Sequence, residues 1–328
     1  MYRTLPCKIK SFYSYTKAVF LLLLFMLGAC TSSKHPKQNQ LPEVSLELIR
    51  FEQQFFGNTD TPLDSVKAQF PYFFPNKTPD SLWQNKRIDS LQQTLYKATK
   101  PLFDGELFSR VENVFKHAKY YFPNEQLPQK VITLLTDVDY TFRAVDADSL
   151  LLISVDTYLG ADHPLYDGIP QYIRKTLQPT HLEAELIDAL SSRFVPKPTG
   201  RTFLAQCITA GKRLVLQDFL APKVSSMYHI QYSQEQWDWA LEHEEDIWQY
   251  FIENELLFST DDVLVFRFLK PSPFSKFYTY LEDGSPGRIG AWIGYRIVQA
   301  YHKRTNATLQ EILLEDAQEI LKKSRYNP

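Results

Sequence analysis

The longest uninterrupted run of apolar residues lies near the amino terminus. Residues 18–27 are almost entirely apolar, and residues 1–17 contain four basic side chains and no acidic one. A basic segment followed by a short apolar run is typical of a secretory signal, and this run is too short to cross a bilayer as a helix. The pattern therefore predicts a signal peptide over residues 1–29.

The apolar run ends in Leu27, Gly28, Ala29 and Cys30, and this ending resembles a bacterial lipobox. Small residues let the peptide fit the signal peptidase, and the thiol of the following cysteine accepts the lipid. We therefore predict peptidase recognition at Leu27, Gly28 and Ala29, and acylation of Cys30, with palmitate among the acyl chains. Several chains on one residue would anchor stably, since each buried CH₂ contributes about 0.8 kcal/mol. An ordinary signal peptide with a chance cysteine is the alternative.

The segment after the cysteine is mostly polar and contains two prolines. It has little apolar surface to bury, so residues 30–42 are predicted to form a flexible tether. No acidic residue occurs in it. Because acidic residues directly after the cysteine can direct lipoproteins to the cell surface, we expect a lipid-anchored protein of the cell envelope that faces the periplasm, on either membrane.

Beyond residue 42, apolar residues recur mainly with the spacing of amphipathic helices. Ser or Thr followed three residues later by Glu or Gln, the capping-box spacing, marks several helix starts: Ser81 with Gln84, Thr180 with Glu183, Ser233 with Gln236, and Thr308 with Glu311. The predicted helices cover residues 44–56, 62–70, 80–99, 101–122, 170–177, 180–194, 202–219, 233–251, 285–301 and 308–323.

The helical period is interrupted in the middle of the chain. Residues 130–136, 140–145 and 150–155 are short, apolar and rich in β-branched side chains, with aspartate-containing turns between them. Short connections favour antiparallel pairing, so we expect a small sheet of about three antiparallel strands. The predicted fold is α+β and predominantly helical, with one globular domain over residues 43–328.

Composition and charge exclude several classes of protein. The chain has 36 basic and 38 acidic residues, and removal of the signal would take away four basic ones. With no basic stripe elsewhere, nucleic acid is not an expected partner. Of three cysteines, only Cys207 would remain free after lipidation and cleavage, so no internal disulfide is expected. Its apolar neighbours predict that Cys207 is a buried small hydrophobe.

Glycines are scarce but concentrated near the carboxyl terminus. Gly287, Gly290 and Gly294 would fall on one face of a helix over 285–301. Each glycine costs a helix about 1 kcal/mol relative to alanine, so their presence suggests close approach of another backbone. A packed helix or a peptide-binding groove would each explain them. Arg288, in the first turn, is expected to pair with a carboxylate such as Asp283 or with another nearby group.

No catalytic set is recognised. A zinc hydrolase helix carries His-Glu-x-x-His, whereas residues 181–185 read HLEAE and residues 243–247 read HEEDI. Neither a nucleophile elbow nor a phosphate-binding glycine loop is present. The pairs Asp137/Asp139 and Asp146/Asp148 could bind calcium or be solvated turn residues. We expect no metal and no cofactor other than the lipid on Cys30.

Several longer motifs together resemble one family, the gliding-motility lipoprotein GldB of Bacteroidetes. The resemblance covers nearly all of the chain after the signal and includes the lipobox. The most specific segments are PSPFSKF at 271–277 and SPGRIG at 285–290. The other matching segments are residues 49–52, 119–123, 131–133, 137–140, 158–160, 202–206 and 211–212.

The resemblance implies a non-catalytic accessory lipoprotein of the gliding-motility and type IX secretion machinery. Its implied partners are the membrane, through the lipid, and other envelope proteins of that machinery. Such proteins are also distantly similar to predicted zinc peptidases, whose metal ligands are absent here, so a metal-less zincin-like scaffold is a further expectation. The alternatives are an envelope peptidase or hydrolase, or a peptide-binding chaperone on such a scaffold.

Overall fold

The computed structural model describes residues 35–102 and 105–328. The predicted signal peptide and Leu27, Gly28, Ala29 and Cys30 lie outside these residues, as do positions 31–34 of the tether. The chain divides into two compact units, residues 1–40 and 41–328. In the first unit the described part is residues 35–40, which include a 3₁₀ turn at Gln38–Gln40. The second unit contains the sheet and the helices described below.

The prediction of an α+β, mostly helical fold is confirmed. The sheet is formed by β1 (Glu47–Arg50), β2 (Lys130–Leu134), β3 (Ala144–Ala147) and β4 (Leu150–Ser154), in the order β1-β2-β4-β3. The expected antiparallel arrangement of about three strands is wrong. Strand β2 is parallel to both β1 and β4, and β3 alone is antiparallel, to β4.

Strand β1 was not expected, because residues 44–56 have a helical pattern. The chain instead stays extended to Arg50 and becomes helical directly at Phe51. Glu52, which is completely buried, accepts hydrogen bonds from Thr133 Oγ1 in β2 and from Arg50 Nε, both at 2.6 Å. Pairing with β2 thus outweighs the local helical preference of a four-residue segment.

The helices of the described residues are mostly short, and three of them have 17 or 18 residues. Their bounds are α1 Phe51–Phe56, α2 Leu63–Gln69, α3 Asp80–Ile88, α4 Ser90–Thr99, α5 Gly105–Tyr121, α6 Gln171–Arg174, α7 Leu182–Leu190, α8 Phe203–Leu220, α9 Ser226–His229, α10 Gln234–Glu242, α11 Glu244–Glu253, α12 Val263–Phe268, α13 Ile289–Thr305, α14 Leu309–Leu314 and α15 Ala317–Ser324. No helix within residues 35–102 and 105–328 is both long and apolar enough to cross a membrane.

Two of the four proposed capping boxes are confirmed. Ser233 with Gln236 begins α10 and Thr308 with Glu311 begins α14, each with both reciprocal hydrogen bonds. The other two are wrong. Helix α3 begins after Pro79, before Ser81, and α7 begins only after the 3₁₀ turn Pro179–His181. Sequence spacing alone therefore located a helix start only where the cap residue itself stays extended.

Helices α8 and α13 form the centre of the core. Trp292 is completely buried in α13, and Cys207 in α8 is 1% exposed, as expected for a small hydrophobe. The two helices meet at glycines: a Cβ atom added to Gly294 would lie 1.8 Å from the Cys207 carbonyl oxygen, and one added to Gly211 would lie 2.3 Å from the Gly294 carbonyl oxygen. The crossing is therefore a backbone-to-backbone contact that only glycine permits at these positions.

Candidate functional site

A line of four polar side chains connects segments that are far apart in the sequence. Arg143 Nη1 donates to Glu185 Oε1 at 2.6 Å, and Gln231 Nε2 donates to the same oxygen. Arg288 Nη1 in turn donates to Gln231 Oε1 at 3.3 Å and to the Ile230 carbonyl at 3.1 Å. We call Arg143, Glu185, Gln231 and Arg288 the polar bridge, because its middle members link two guanidinium groups through one carboxylate and one amide.

The polar bridge is built on four different structural elements. Arg143 lies directly before β3, Glu185 is on α7, Gln231 follows α9, and Arg288 is the residue before α13. Arg143 is also fixed by Thr176, whose Oγ1 accepts from Arg143 Nη2 at 2.7 Å. The position of each side chain is therefore set by packing of the whole core rather than by local sequence.

Two members of the polar bridge have left-handed backbones. Gln231 has φ 66° and Arg288 has φ 63°. Their segments are tied together by Tyr232, whose hydroxyl donates to the Gly287 carbonyl at 2.8 Å. Ser275 holds the same turn, since its Oγ donates to the Pro286 carbonyl at 2.7 Å. These bonds keep both strained residues in place.

The electrostatic balance of the polar bridge is cationic, with two guanidinium groups and one carboxyl. Burial raises the pKa of Glu185, while Arg143 lowers it, Asp188 raises it and Arg288 lowers it. The net effect is upward, so desolvation outweighs the nearby arginines. Any protonation of Glu185 would make the site more positive, not less.

Two buried histidines lie near the polar bridge. His181 Nδ1 is 3.2 Å from the Tyr228 carbonyl, and burial lowers the pKa of His181 to about 4. His229 Nδ1 donates to Asp218 Oδ1 at 3.0 Å, and the other Asp218 oxygen accepts from the Tyr295 hydroxyl at 2.7 Å. His229 Nε2 is buried and has no hydrogen-bond partner among the residues that the structure describes. Both rings thus have a hydrogen-bond partner within the fold at Nδ1.

Two cavities flank the polar bridge, one of about 790 Å³ and one of about 740 Å³. Each lies in the range of small-molecule or short-peptide sites, about 300–1,000 Å³. Within residues 35–102 and 105–328, the first has basic lining residues and no acidic one, whereas the second also contains Glu185 and Asp188. Both are lined by the same six residues at their boundary: Arg143, Tyr172, Ile173, Gln231, Pro271 and Arg288.

The structure separates the glycines that the sequence grouped on one helix face. Helix α13 begins at Ile289, so Gly287 precedes it, and the expected helix start near residue 285 is wrong because Arg288 adopts a left-handed conformation. A Cβ atom on Gly290 would lie 3.1 Å from the Phe203 ring, and one on Gly287 would lie 2.3 Å from the Ser272 carbonyl oxygen. The faces of Gly290 and Gly294 are thus covered by α8 and its neighbours.

Arg288 does not pair with Asp283 as expected; its side chain donates hydrogen bonds to neutral acceptors instead. Gly287 and Arg288 line the first cavity. Sequence reasoning singled out Arg288 but missed Arg143 and Gln231, and noted Glu185 only within a defective zinc motif. No local signal marks these residues, because each comes from a different segment.

The aspartate pairs have ordinary partners. Asp146 accepts two hydrogen bonds from the Arg193 guanidinium, and Asp137 accepts from Lys86 Nζ and Gln92 Nε2. Within the part of the chain that the structure describes, no group of three or more His, Cys, Asp or Glu side chains is arranged to hold a metal ion. The aspartates of these turns therefore stabilise the fold through arginine, lysine and amide groups.

Comparison with known protein families gives a match to the family described as gliding motility protein GldB, over residues 31–328. Neither a curated protein nor a solved structure gives a significant match to the chain. The family match covers nearly the whole chain and begins at the residue after Cys30. The chain therefore belongs to the GldB family of gliding-motility lipoproteins, which are lipid-anchored proteins of the cell envelope.

Proposed function

We propose that this protein is a non-catalytic accessory lipoprotein of the gliding machinery, anchored through acyl chains on Cys30. The observation that carries the proposal is the family match, which starts directly after the lipobox cysteine. A single acyl chain gives only marginal membrane binding, whereas several chains on one residue give a stable anchor. Its role would then be to hold a folded domain beside membrane partners.

Association with type IX secretion and a position facing the periplasm are finer parts of the same proposal. The resemblance of residues 271–277 and 285–290 to GldB proteins supports the first. The segment between Cys30 and Glu43, which has no acidic residue, supports the second. We propose other envelope proteins of the motility and secretion machinery as partners, and no nucleic acid.

A non-catalytic role is supported by how the candidate groups are used. His181 and His229, the two buried histidines nearest the cavities, contact a carbonyl and a structural aspartate. Glu185, which occupies the second ligand position of the defective zinc motif, accepts from Arg143 and Gln231 instead. These side chains are engaged in holding the fold together, as expected for a protein that acts by binding.

The test compares Cys30→Ser with Cys7→Ser, which changes the other cysteine of the amino-terminal segment. Cells grown with radiolabelled palmitate should incorporate label into the parent and Cys7→Ser proteins but not into Cys30→Ser. Colony spreading should be lost with Cys30→Ser and with deletion of the gene, and kept with Cys7→Ser. Labelled Cys30→Ser protein, or normal spreading of the deletion strain, would overturn the proposal.

A further inference from the structure

We propose that the cavities beside the polar bridge bind an extended peptide segment through an acidic side chain, whose carboxylate pairs with Arg288. The inference goes beyond the anchoring role and does not depend on it. It rests on the charge of the cavity lining, on the strained backbone of two lining residues, and on the position of Arg288 at the boundary of two cavities.

The charge of the lining favours an anionic group. Arg143, Lys175 and Arg288 line the first cavity, and no acidic residue of the described part of the chain does. Arg143 is neutralised by Glu185, but Arg288 donates only to a carbonyl and an amide oxygen, through Nη1. Among the described residues, the Nε–Nη2 edge of Arg288 makes no hydrogen bond. This edge of a guanidinium is the one that receives a carboxylate with two parallel hydrogen bonds.

Two of the nine non-glycine residues with positive φ in the described part of the chain lie in the cavity lining. Left-handed backbone costs a non-glycine residue about 1–2 kcal/mol and is found mostly at glycine, asparagine or aspartate. Here arginine and glutamine occupy two such positions, Arg288 and Gln231, and they are hydrogen-bonded to each other. Strained residues of this kind cluster at binding and active sites.

The arrangement of space identifies the form of the ligand. Arg288 lines both cavities, so a group bound to it has room on two sides. A terminal carboxylate would leave one side empty, whereas an aspartate or glutamate within a chain lets the chain continue in both directions. Amide and hydroxyl groups of Gln171, Gln178, Gln234 and Ser272 line the first cavity. Such groups can pair with the main-chain N–H and C=O groups of a peptide.

The binding test uses the full chain in detergent and heptapeptides of the sequence Gly-Ser-Tyr-X-Tyr-Ser-Gly carrying a zwitterionic dye. One probe has glutamate at X and an amidated terminus, and the second has glutamine at X and an amidated terminus. The third has glutamine at X and a free terminal carboxylate. Fluorescence polarisation should show binding of the glutamate probe at least tenfold tighter than binding of either other probe.

The variant Arg288→Gly removes the side chain and suits the left-handed backbone. Arg325→Gly is the matched control, because Arg325 is exposed, also left-handed (φ 48°), and does not line either cavity. Arg288→Gly should weaken binding of the glutamate probe at least tenfold. The unfolding midpoint of this variant should be no lower than that of the parent protein. Arg325→Gly should bind like the parent. If Arg288→Gly does not fold, Arg288→Asn replaces it, since asparagine also tolerates this backbone.

Three results would overturn the inference. Equal binding of the glutamate and amidated glutamine probes, or binding of neither, would show that no carboxylate is recognised. If the free-terminus probe binds as tightly as the glutamate probe, the side chain is not the recognised group. Unchanged binding by folded Arg288→Gly would show that the recognised carboxylate does not pair with Arg288.

Discussion

Replacing Gly294 with alanine tests the backbone contact at the centre of the core. The added Cβ would lie 1.8 Å from the Cys207 carbonyl oxygen, 2.4 Å from the carbonyl carbon and 3.1 Å from the Ile208 nitrogen. Favourable contact between such atoms begins at roughly 3.5 Å, so α8 and α13 would have to separate by more than about 1 Å. No side-chain rotation relieves the clash, because all three atoms belong to the backbone.

The expected cost follows from these distances. Overpacking a core costs about 1–3 kcal/mol when side chains can adjust, and here they cannot. Separating the helices would also loosen the contacts of the buried Trp292 and Ile293. The better helix propensity of alanine offsets about 1 kcal/mol of this cost. We therefore expect Gly294→Ala to lower the free energy of unfolding by at least about 2 kcal/mol.

Gly290→Ala is the matched control on the same helix. Its Cβ would lie 3.1 Å from Phe203 Cζ, 3.1 Å from the Phe268 carbonyl oxygen and 3.2 Å from Cys207 Sγ. Two of these three atoms belong to side chains that can shift, so the change should stay within about 1 kcal/mol of the parent. Urea unfolding measures the free energy of unfolding of both variants, provided that its slope against urea concentration is the same for both. A Gly294→Ala protein as stable as Gly290→Ala would refute the close crossing.

Two further variants test buried polar groups. His181 binds a proton below about pH 4 when folded, against about 6.5 when unfolded, so lowering the pH through this window should reduce stability by up to about 3 kcal/mol. His181→Gln should remove that part of the pH dependence in unfolding experiments at pH 7 and 4.5, and an unchanged pH profile would contradict it. Arg193→Lys loses the two parallel hydrogen bonds of the guanidinium group to Asp146, each 2.5 Å long (the fork). It should lower the free energy of unfolding by about 2 kcal/mol. The exposed Arg201→Lys should be neutral, and equal stability of the two lysine variants would refute the role of the fork.

Local sequence signals located the elements whose ends are set locally. The caps at Ser233 and Thr308 are such cases, because a hydroxyl and a side chain three residues later satisfy the first backbone N–H groups. Strand β1 was missed because its four residues are extended only through pairing with β2, which lies far along the chain. The parallel pairing of β2 with β4 was missed because β3 forms the short antiparallel connection instead.

The candidate site was predictable only in part. Arg288 attracted attention because it lies among glycines, but its left-handed backbone and its contact with Gln231 depend on tertiary bonds from Tyr232 and Ser275. The glycines were correctly associated with close backbone approach. Their partner could not be known, because the sequence does not show that Gly211 on α8 lies opposite Gly294.

The position of β1 at the sheet edge also sets the order in which the protein can fold. Its partner residues are distant in sequence, with Glu47 opposite Lys130, so a chain that emerges amino terminus first exposes β1 long before β2 is available. Closing so long a loop adds entropic cost and slows folding. Helix α1, which begins at Phe51 and packs against β2, would meanwhile lack that contact. The amino-terminal segment thus needs protection from aggregation until residue 134 has emerged.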